Sequence, residues 1–266
     1  MTQMVSPLII AIHGGSFTSE YFDIPGYSLF ERASALGISV LGIDRPGYGM
    51  SIKLDDSKSG IQGQANYLRL ALEQAWITYG EGHQGIVLIG HSIGAAIALT
   101  IAADNTQLPL LGIAVSGVGL RTPKQYIDAW NNLPGTSVVE MSAALKDSVM
   151  FGPAESFTDD MPSASHRANT TALREELLDI VSGWPQRVEE ILANIRIPVH
   201  YRQAANDRLW VVNQQQLDEF RAALIVAPRV DAMLIADTGH CMDFHRIGAA
   251  LHIQQLGFAL QCAVEH

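Results

Sequence analysis

Cysteine and basic side chains are scarce in this chain of 266 residues, and each scarcity excludes a class of protein. Only two cysteines are present, Cys241 and Cys262, so the chain has no disulfide framework and a reducing compartment is the default expectation. Lysine and arginine total 17 against 27 aspartates and glutamates, which gives a formal net charge of −10 at pH 7. This balance argues against a nucleic acid or an anionic membrane as a partner.

Long hydrophobic runs and targeting segments are also missing from the sequence. The most apolar stretch, residues 86–101, is interrupted by polar and glycine residues and is too short to span a bilayer. The first seven residues have no basic segment followed by an apolar one, so they do not resemble a signal peptide. We therefore expect a cytoplasmic protein without membrane insertion. The sequence leaves open whether the chain forms a homo-oligomer.

Patterns for metal ions and nucleotides are absent as well. No group of cysteines and histidines has the spacing of a zinc site. The glycine-rich segments match neither G-x-G-x-x-G nor G-x-x-x-x-G-K-[ST], so no nucleotide is implied. We expect no metal and no cofactor, and a small-molecule substrate as the ligand.

Short apolar segments alternate with helical patterns over most of the chain. The predicted strands cover residues 8–12, 38–43, 85–89, 110–115, 198–201 and 232–235. Helices are predicted at residues 22–36, 61–79, 95–103, 214–224 and 247–260. Strands that alternate with helices predict an α/β fold, with a doubly wound and mostly parallel sheet of about six strands.

Residues 117–185, which we call the insertion, break this alternation. They contain no convincing strand and are too long for a simple crossover. Short helices are predicted within them at residues 126–130, 138–150 and 172–181. We interpret the insertion as a helical cap over the active edge, between two parts of a core at residues 1–116 and 186–266. An elaborate crossover with no role at the site is the alternative.

The motif G-x-S-x-G at residues 90–94 is the most informative pattern in the chain. An apolar run at residues 85–89 precedes it and an alanine-rich run at residues 95–103 follows it. This predicts a strand, a tight turn and a helix, which is the context of a nucleophile elbow. Such a turn holds its serine in a strained conformation at a helix N-terminus. We therefore predict that Ser92 is a nucleophile.

A serine nucleophile needs a base, and His240 is the best candidate among the nine histidines. It follows the last predicted strand, so it is expected at the same edge of the sheet as Ser92. The imidazole in turn needs a carboxylate to hold its tautomer. Asp207, which follows the strand at residues 198–201, is expected in this role.

Acyl transfer also requires N–H donors for an oxyanion. One expected donor is the backbone N–H of Ile93, directly after the nucleophile. The second is expected from residues 13–16, which read His-Gly-Gly-Ser after the first strand. Gly15 is favoured because glycine lets the backbone turn its N–H inward, and Ser16 is the near alternative.

Together these motifs resemble those of serine-nucleophile members of the α/β-hydrolase superfamily. The matching positions, in order, are residues 13–15, 44–51 and 90–94, Asp207, and residues 239–240. The order of serine, acid and base is also that of the superfamily. The resemblance implies an α/β-hydrolase fold with a catalytic triad, and the insertion stands where capped members carry a helical lid. Members usually begin with an antiparallel hairpin, which we expect to be lacking here.

Chains similar in this way include carboxylesterases, thioesterases, lactonases and carbon–carbon bond hydrolases. We expect a carboxylic ester hydrolase that cleaves an ester, lactone or thioester of a small, largely apolar substrate through an acyl-enzyme on Ser92. The alternatives are a carbon–carbon bond hydrolase or cofactor-free lyase on the same triad, and a non-catalytic small-molecule receptor. Phe17, Trp130, Trp184 and Trp210 are expected to line the apolar pocket.

Overall fold

The structure, a computed structural model, describes residues 5–104 and 107–265, and a parallel sheet forms its centre. The strands found in these ranges are β1 (Leu8–Ile12), β2 (Val40–Ile43), β3 (Ile86–His91), β4 (Leu110–Ser116), β5 (Val138–Val139), β6 (Ala172–Leu173), β7 (Val199–Ala204) and β8 (Val230–Ile235). Six of them pair in the order β2-β1-β3-β4-β7-β8, and every pair is parallel. The predicted mostly parallel sheet of about six strands is confirmed.

Helices cover both faces of this sheet. Those in the described ranges are α1 (Leu29–Ala35), α2 (Ile61–Tyr79), α3 (Ile93–Ala103), α4 (Lys124–Asn131), α5 (Ala143–Met150), α6 (Arg174–Leu178), α7 (Trp184–Ala193), α8 (Gln214–Ala223) and α9 (Gly248–Glu265). Buried side chains of α2, α3, α7 and α8 pack on one face, and those of α1 and α9 pack on the other.

Strand β1 is apolar at every position because both of its faces are buried. In β1, Ile10 and Ile12 join the cluster beneath α2 and α3, whereas Ile9 and Ala11 join the cluster beneath α1 and α9. All five side chains of this strand are buried. The carboxyl ends of the parallel strands therefore meet at one rigid edge, where ligands of doubly wound sheets bind.

The first predicted helix is shorter than expected. A helix over residues 22–36 is wrong, because a 3₁₀ turn covers Ser19–Asp23 and α1 begins only at Leu29. Pro25 and Gly26 separate the two elements, and Gly26 adopts a positive φ of 81° that helices do not contain. Ser28 then caps α1 by accepting a hydrogen bond from the Glu31 N–H.

The insertion contains a small sheet that the sequence did not predict. Val138 pairs with Leu173 and Val139 pairs with Ala172, in antiparallel orientation. The helices predicted at residues 138–150 and 172–181 therefore begin later, as α5 and α6. Ser142 sets the start of α5, since its side chain accepts from the Leu145 N–H.

In the part of the chain that the structure describes, no helix is both long enough and apolar enough to cross a membrane.

Candidate active site

The turn between β3 and α3 places Ser92 in a strained backbone conformation. Its φ of 56° and ψ of −123° lie outside the regions that non-glycine residues ordinarily adopt. A Cβ at Gly90 would lie 2.7 Å from Ala95 Cα, and one at Gly94 would lie 2.2 Å from the Ile12 carbonyl oxygen. Glycine is therefore required at both positions for the strand and helix to approach this closely.

Ser92 stands at the N-terminus of α3, where backbone N–H groups are left free. Its own N–H donates to the Ser116 carbonyl at the end of β4, at 2.8 Å. The Ile93 N–H has no acceptor among residues 5–104 and 107–265. The N-terminus of α3 therefore places the free Ile93 N–H and the positive end of the helix dipole beside the serine side chain.

His240 and Asp207 form a buried pair at the ends of β8 and β7. Nδ1 of His240 donates to Oδ2 of Asp207 at 2.7 Å, and both side chains are almost completely buried. Asp207 also accepts from the Gln203 side chain and from the Leu209 N–H, each at 2.9 Å. A carboxylate that is only an acceptor assigns the imidazole proton to Nδ1, which leaves Nε2 of neutral His240 with a lone pair.

The His240 ring lies next to the serine turn. It is 4.9 Å from the ring of His91, the residue before Ser92, and a Cβ at Gly117 would lie 3.2 Å from its Cε1. Nε2 of His240 is buried and has no hydrogen-bond partner in the described residues, so no hydrogen bond joins it to Ser92 here. Catalytic hydrogen bonds often tighten only when substrate is present.

The loop after β1 packs directly against the serine turn. A Cβ at Gly14 would lie 3.0 Å from Ser92 Cβ, which explains glycine at that position. At Gly15 a Cβ would lie 2.8 Å from Ile93 Cδ1. Ser16 follows with a positive φ of 57°. The backbone of this loop therefore lies next to the nucleophile.

His13 organises this loop as a neutral imidazole. The Arg45 N–H donates to Nε2 of His13 at 3.1 Å, so the ring proton is on Nδ1, which donates to the Gly14 carbonyl at 2.8 Å. Burial, aided by the Arg45 charge, holds the pKa of His13 well below its ordinary value. His13 is therefore a fixed structural donor and not a proton carrier.

Arg45 clamps the same loop through its guanidinium. It donates to the His13 carbonyl at 2.9 Å and to the Gly14 carbonyl at 3.0 Å. The Gly14 carbonyl and the Gly15 N–H belong to one planar trans peptide, in which they point in opposite directions. Holding the carbonyl on Arg45 therefore turns the Gly15 N–H away from Arg45.

Glu176 of α6 completes this buried group from the insertion. Its carboxylate accepts from Arg45 at 2.7 Å and from the Tyr48 hydroxyl, and all three side chains are buried. Sequence reasoning missed Glu176, because a glutamate beside Glu175 on a short helix is typical of a solvated face. The only available signal was Arg45 within the motif at residues 44–51.

Two of the four expected pocket residues line the space in front of Ser92. A small cavity of about 50 Å³ contacts Ser92, Gly15, Ser16 and Ile93, and Trp130 and Trp210 are in its wall. A larger chamber of about 560 Å³ lies beside it, and all of its lining residues except Leu209 belong to the insertion. The two spaces share one mainly apolar wall, formed by Tyr126, Trp130, Met141, Met150, Leu177 and Leu209.

The other two expected pocket residues lie elsewhere, and this part of the prediction is not supported. Trp184 is fully buried in the core, and its indole N–H donates to the Gly119 carbonyl at 2.9 Å. Phe17 packs edge-on against Tyr21 and Phe244 on the other face of the sheet. Aromatic composition alone could not separate these residues from the pocket wall.

A model described as the alpha/beta hydrolase family matches residues 9–249. The chain belongs to the alpha/beta hydrolase family. A search of the curated proteins found no match to this hydrolase.

Solved structures of other hydrolases share the fold. A lipase-esterase related protein from Clostridium acetobutylicum is 14% identical with a TM-score of 0.69, and 96% of this chain and 95% of that chain are covered. The monoacylglycerol lipase of Paleococcus ferrophilus is 15% identical with a TM-score of 0.69, with 97% of each chain covered. An E-2-(acetamidomethylene)succinate hydrolase is 16% identical with a TM-score of 0.69, covering 95% and 92%. These likenesses show the fold alone.

Behind His240, this hydrolase has a second buried acid. Asp243 accepts from the Tyr21 hydroxyl at 2.7 Å and from His252 Nε2 at 2.9 Å. Burial acts to raise the pKa of Asp243, but the hydrogen bond and charge of His252 outweigh it and hold the pKa well below its usual range. The Tyr21 ring in turn stacks on His91 at 4.6 Å. Asp243 thus anchors the segment that carries His240.

Proposed function

We propose that the chain is a serine hydrolase, which cleaves a carboxylic ester, lactone or thioester of a small, largely apolar substrate through an acyl-enzyme. The observation that carries this proposal is the strained Ser92 beside a buried His240–Asp207 pair at one edge of the sheet. A structural serine has no need of a backbone conformation this unfavourable. The proposed catalytic residues are Ser92, His240 and Asp207.

Acylation begins when Ser92 Oγ attacks the substrate carbonyl carbon. A new C–O bond forms, and the serine proton passes to Nε2 of His240. Asp207 stabilises the resulting imidazolium through the 2.7 Å hydrogen bond to Nδ1. The carbonyl electrons move onto oxygen, where the N–H groups of Ile93 and of Gly15, or alternatively Ser16, donate to the oxyanion.

The tetrahedral intermediate then collapses and expels the leaving group. His240 gives its proton to the leaving oxygen or sulfur, so an alcohol or thiol departs and the acyl group remains on Ser92. Water next attacks the acyl carbon while His240 takes one of its protons. A second oxyanion collapses, Ser92 recovers the proton, and a carboxylic acid leaves.

The two adjoining spaces indicate the kind of substrate. The space at Ser92 is narrow, whereas the chamber within the insertion, at about 560 Å³, has the size of a pocket for a compact organic group. Its wall is mostly aliphatic and aromatic, which favours an uncharged apolar group. We propose that the reacting carbonyl lies at Ser92 and that the larger apolar part of the substrate occupies the chamber.

The experiment is a series of p-nitrophenyl esters of increasing chain length, assayed with the intact protein and with Ser92→Ala. We expect turnover by the wild type and a loss of at least about 10³-fold in the variant. Ser57→Ala is the control, because Ser57 is exposed and lines neither the cavity at Ser92 nor the larger chamber, so its loss should change nothing. Equal rates in wild type and Ser92→Ala would contradict the proposal. A reactive Ser92 with no ester turnover would instead favour carbon–carbon cleavage, a lyase or a receptor.

A further inference from the structure

Lys146 of α5 is a buried cation without a counter-ion. Its exposed fraction is 4%, and no carboxylate within 4 Å pairs with it among the residues that the structure describes. Burying an ammonium is unfavourable unless its N–H groups are satisfied. A methionine would fill the same space without this penalty, so the charge at this position requires an explanation.

All the donors of Lys146 are directed at the loop after β1 and its surroundings. Nζ donates to the Ser16 carbonyl at 2.5 Å and to the side-chain oxygen of Asn169. It also lies 3.3 Å from the centre of the Phe17 ring, a cation–π contact. An ammonium has three N–H groups, and two oxygens and a ring face occupy them. Lys146 also lies in the wall of the larger chamber, but these contacts already occupy its donors.

Two buried cations bind carbonyl groups of the loop after β1, which we call the oxyanion loop (residues 13–16). Arg45 holds the peptide plane before Gly15 through the Gly14 carbonyl. Lys146 holds the plane after Ser16 through the Ser16 carbonyl, which also accepts from the Thr170 N–H at 3.0 Å. The Gly15 N–H lies in the first of these planes and the Ser16 N–H lies in the peptide between them, and neither N–H has an acceptor in the described ranges.

The left-handed backbone conformation of Ser16 requires a stabilising contact such as the hydrogen bond from Lys146. Its φ of 57° is unfavourable for a residue with a side chain, and it relaxes unless its surroundings fix it. Relaxation would rotate the peptide on either side and turn the free N–H groups away from Ser92. We propose that Lys146 is a positioning residue, whose ammonium holds the Ser16 carbonyl and thereby keeps the oxyanion donors aimed at Ser92. This inference rests on the proposed function.

Deprotonation of Lys146 should make the activity depend on pH. Burial lowers the pKa of Lys146 to about 7, and Cys241 and Asp147 oppose this shift. The other titratable groups nearby are His166, which bonds Asp147, and His13, whose own pKa the Lys146 charge lowers. The ammonium is present below pH 7 and is lost as the pH rises, and a neutral amine makes a weaker hydrogen bond. Activity should therefore fall as the pH rises above about 7.

The first test compares Lys146→Met with Lys124→Met. Lys124 is a control from the same insertion, with its side chain exposed and paired only with Asp128. We expect Lys146→Met to lower kcat for p-nitrophenyl esters about 10- to 100-fold, with KM changed less than about twofold, because only transition-state stabilisation is lost. Lys124→Met should match the wild type. An unchanged kcat in folded Lys146→Met would overturn the inference.

The second test changes charge without removing the lysine. In Asn169→Asp, the added carboxylate is next to Nζ and raises the pKa of Lys146. In the wild type the rate of fluorophosphonate labelling should decline as the pH rises above about 7. In Asn169→Asp we expect the same decline at a pH at least about one unit higher, while the variant folds as well as the wild type. A pH profile identical to that of the wild type would contradict the positioning role, even if Lys146→Met fails to fold. Loss of labelling in the wild type itself would instead overturn the proposed function, and with it this inference.

Discussion

The Arg45 guanidinium and the Glu176 carboxylate lie 2.7 Å apart, and both side chains are completely buried. Arg45 belongs to the core loop after β2, and Glu176 belongs to α6 of the insertion. The same guanidinium holds the carbonyls of the loop beside Ser92. The ion pair therefore ties the insertion to the geometry of the candidate active site.

Glu176→Gln should strongly destabilise the protein. It leaves Arg45 as a buried charge without a counter-ion, and we expect the free energy of unfolding to fall by about 3–5 kcal/mol. Chemical denaturation followed by circular dichroism measures this change. Glu175→Gln is the matched control, since its side chain is half-exposed and pairs at the surface with Arg174. Equal stability of the two variants would contradict the role of the buried pair.

Asp207→Asn should remove most activity while leaving the fold intact. An amide can present its NH₂ group to Nδ1 of His240, which selects the tautomer that cannot accept the Ser92 proton. We expect kcat to fall about 10³- to 10⁴-fold. Ester hydrolysis measures the loss, and Asp218→Asn on the exposed side of α8 is the control. A loss below tenfold would assign the acid to another residue.

Gly15→Ala should slow the reaction by displacing the oxyanion loop. The added Cβ would lie 2.8 Å from Ile93 Cδ1 and 3.2 Å from Glu176 Oε1, so the Ile93 side chain or the loop must shift. We expect kcat to fall about 10- to 100-fold. Gly135→Ala is the comparison, because nothing lies within 4 Å of a Cβ there. If both variants retain full activity, Gly15 has no close-packing role.

Trp130→Ala should change substrate preference. Trp130 lies in the wall shared by the cavity at Ser92 and the larger chamber, so its removal joins the two spaces. We expect kcat/KM for long-chain relative to short-chain p-nitrophenyl esters to rise at least about fivefold, since each buried methylene contributes about 0.8 kcal/mol. An unchanged ratio would place the substrate elsewhere.

Trp184→Phe should lower stability and leave substrate preference unchanged, although Trp184 was expected in the pocket together with Trp130. It removes the N–H that bonds the buried Gly119 carbonyl. We expect a loss of about 1–3 kcal/mol in the free energy of unfolding and an unchanged ratio of long-chain to short-chain rates. Thermal denaturation and the ester series measure the two effects. A changed ratio would mean that Trp184 contacts substrate.

Much of the fold could be predicted because its signals are local. The β1 run at residues 8–12 is apolar throughout, and its predicted bounds match the structure. The G-x-S-x-G motif predicts a tight turn. Glycine is required at Gly90 because of the close approach of Ala95, and at Gly94 because of the close approach of the Ile12 carbonyl. The residues expected to act together follow β1, β3, β7 and β8 of one parallel sheet, so topology alone places them at a common edge.

The remaining features depend on contacts between distant parts of the chain. Glu176 is 131 residues from Arg45, and Lys146 is 130 residues from the Ser16 carbonyl that it holds. Neither residue has a local pattern that separates it from a solvated charge. The pairing of Val138 with Leu173 is likewise set by tertiary contacts, because two residues carry too little strand propensity. These features all belong to the insertion.

The most direct test of the central claim is the mass of the intact protein after reaction with a fluorophosphonate, with peptide mapping of the modified residue. The account predicts one adduct per chain, located on Ser92, and no adduct in Ser92→Ala under the same conditions. Absence of an adduct in the wild type, or an adduct that persists in Ser92→Ala, would show that Ser92 is not the nucleophile.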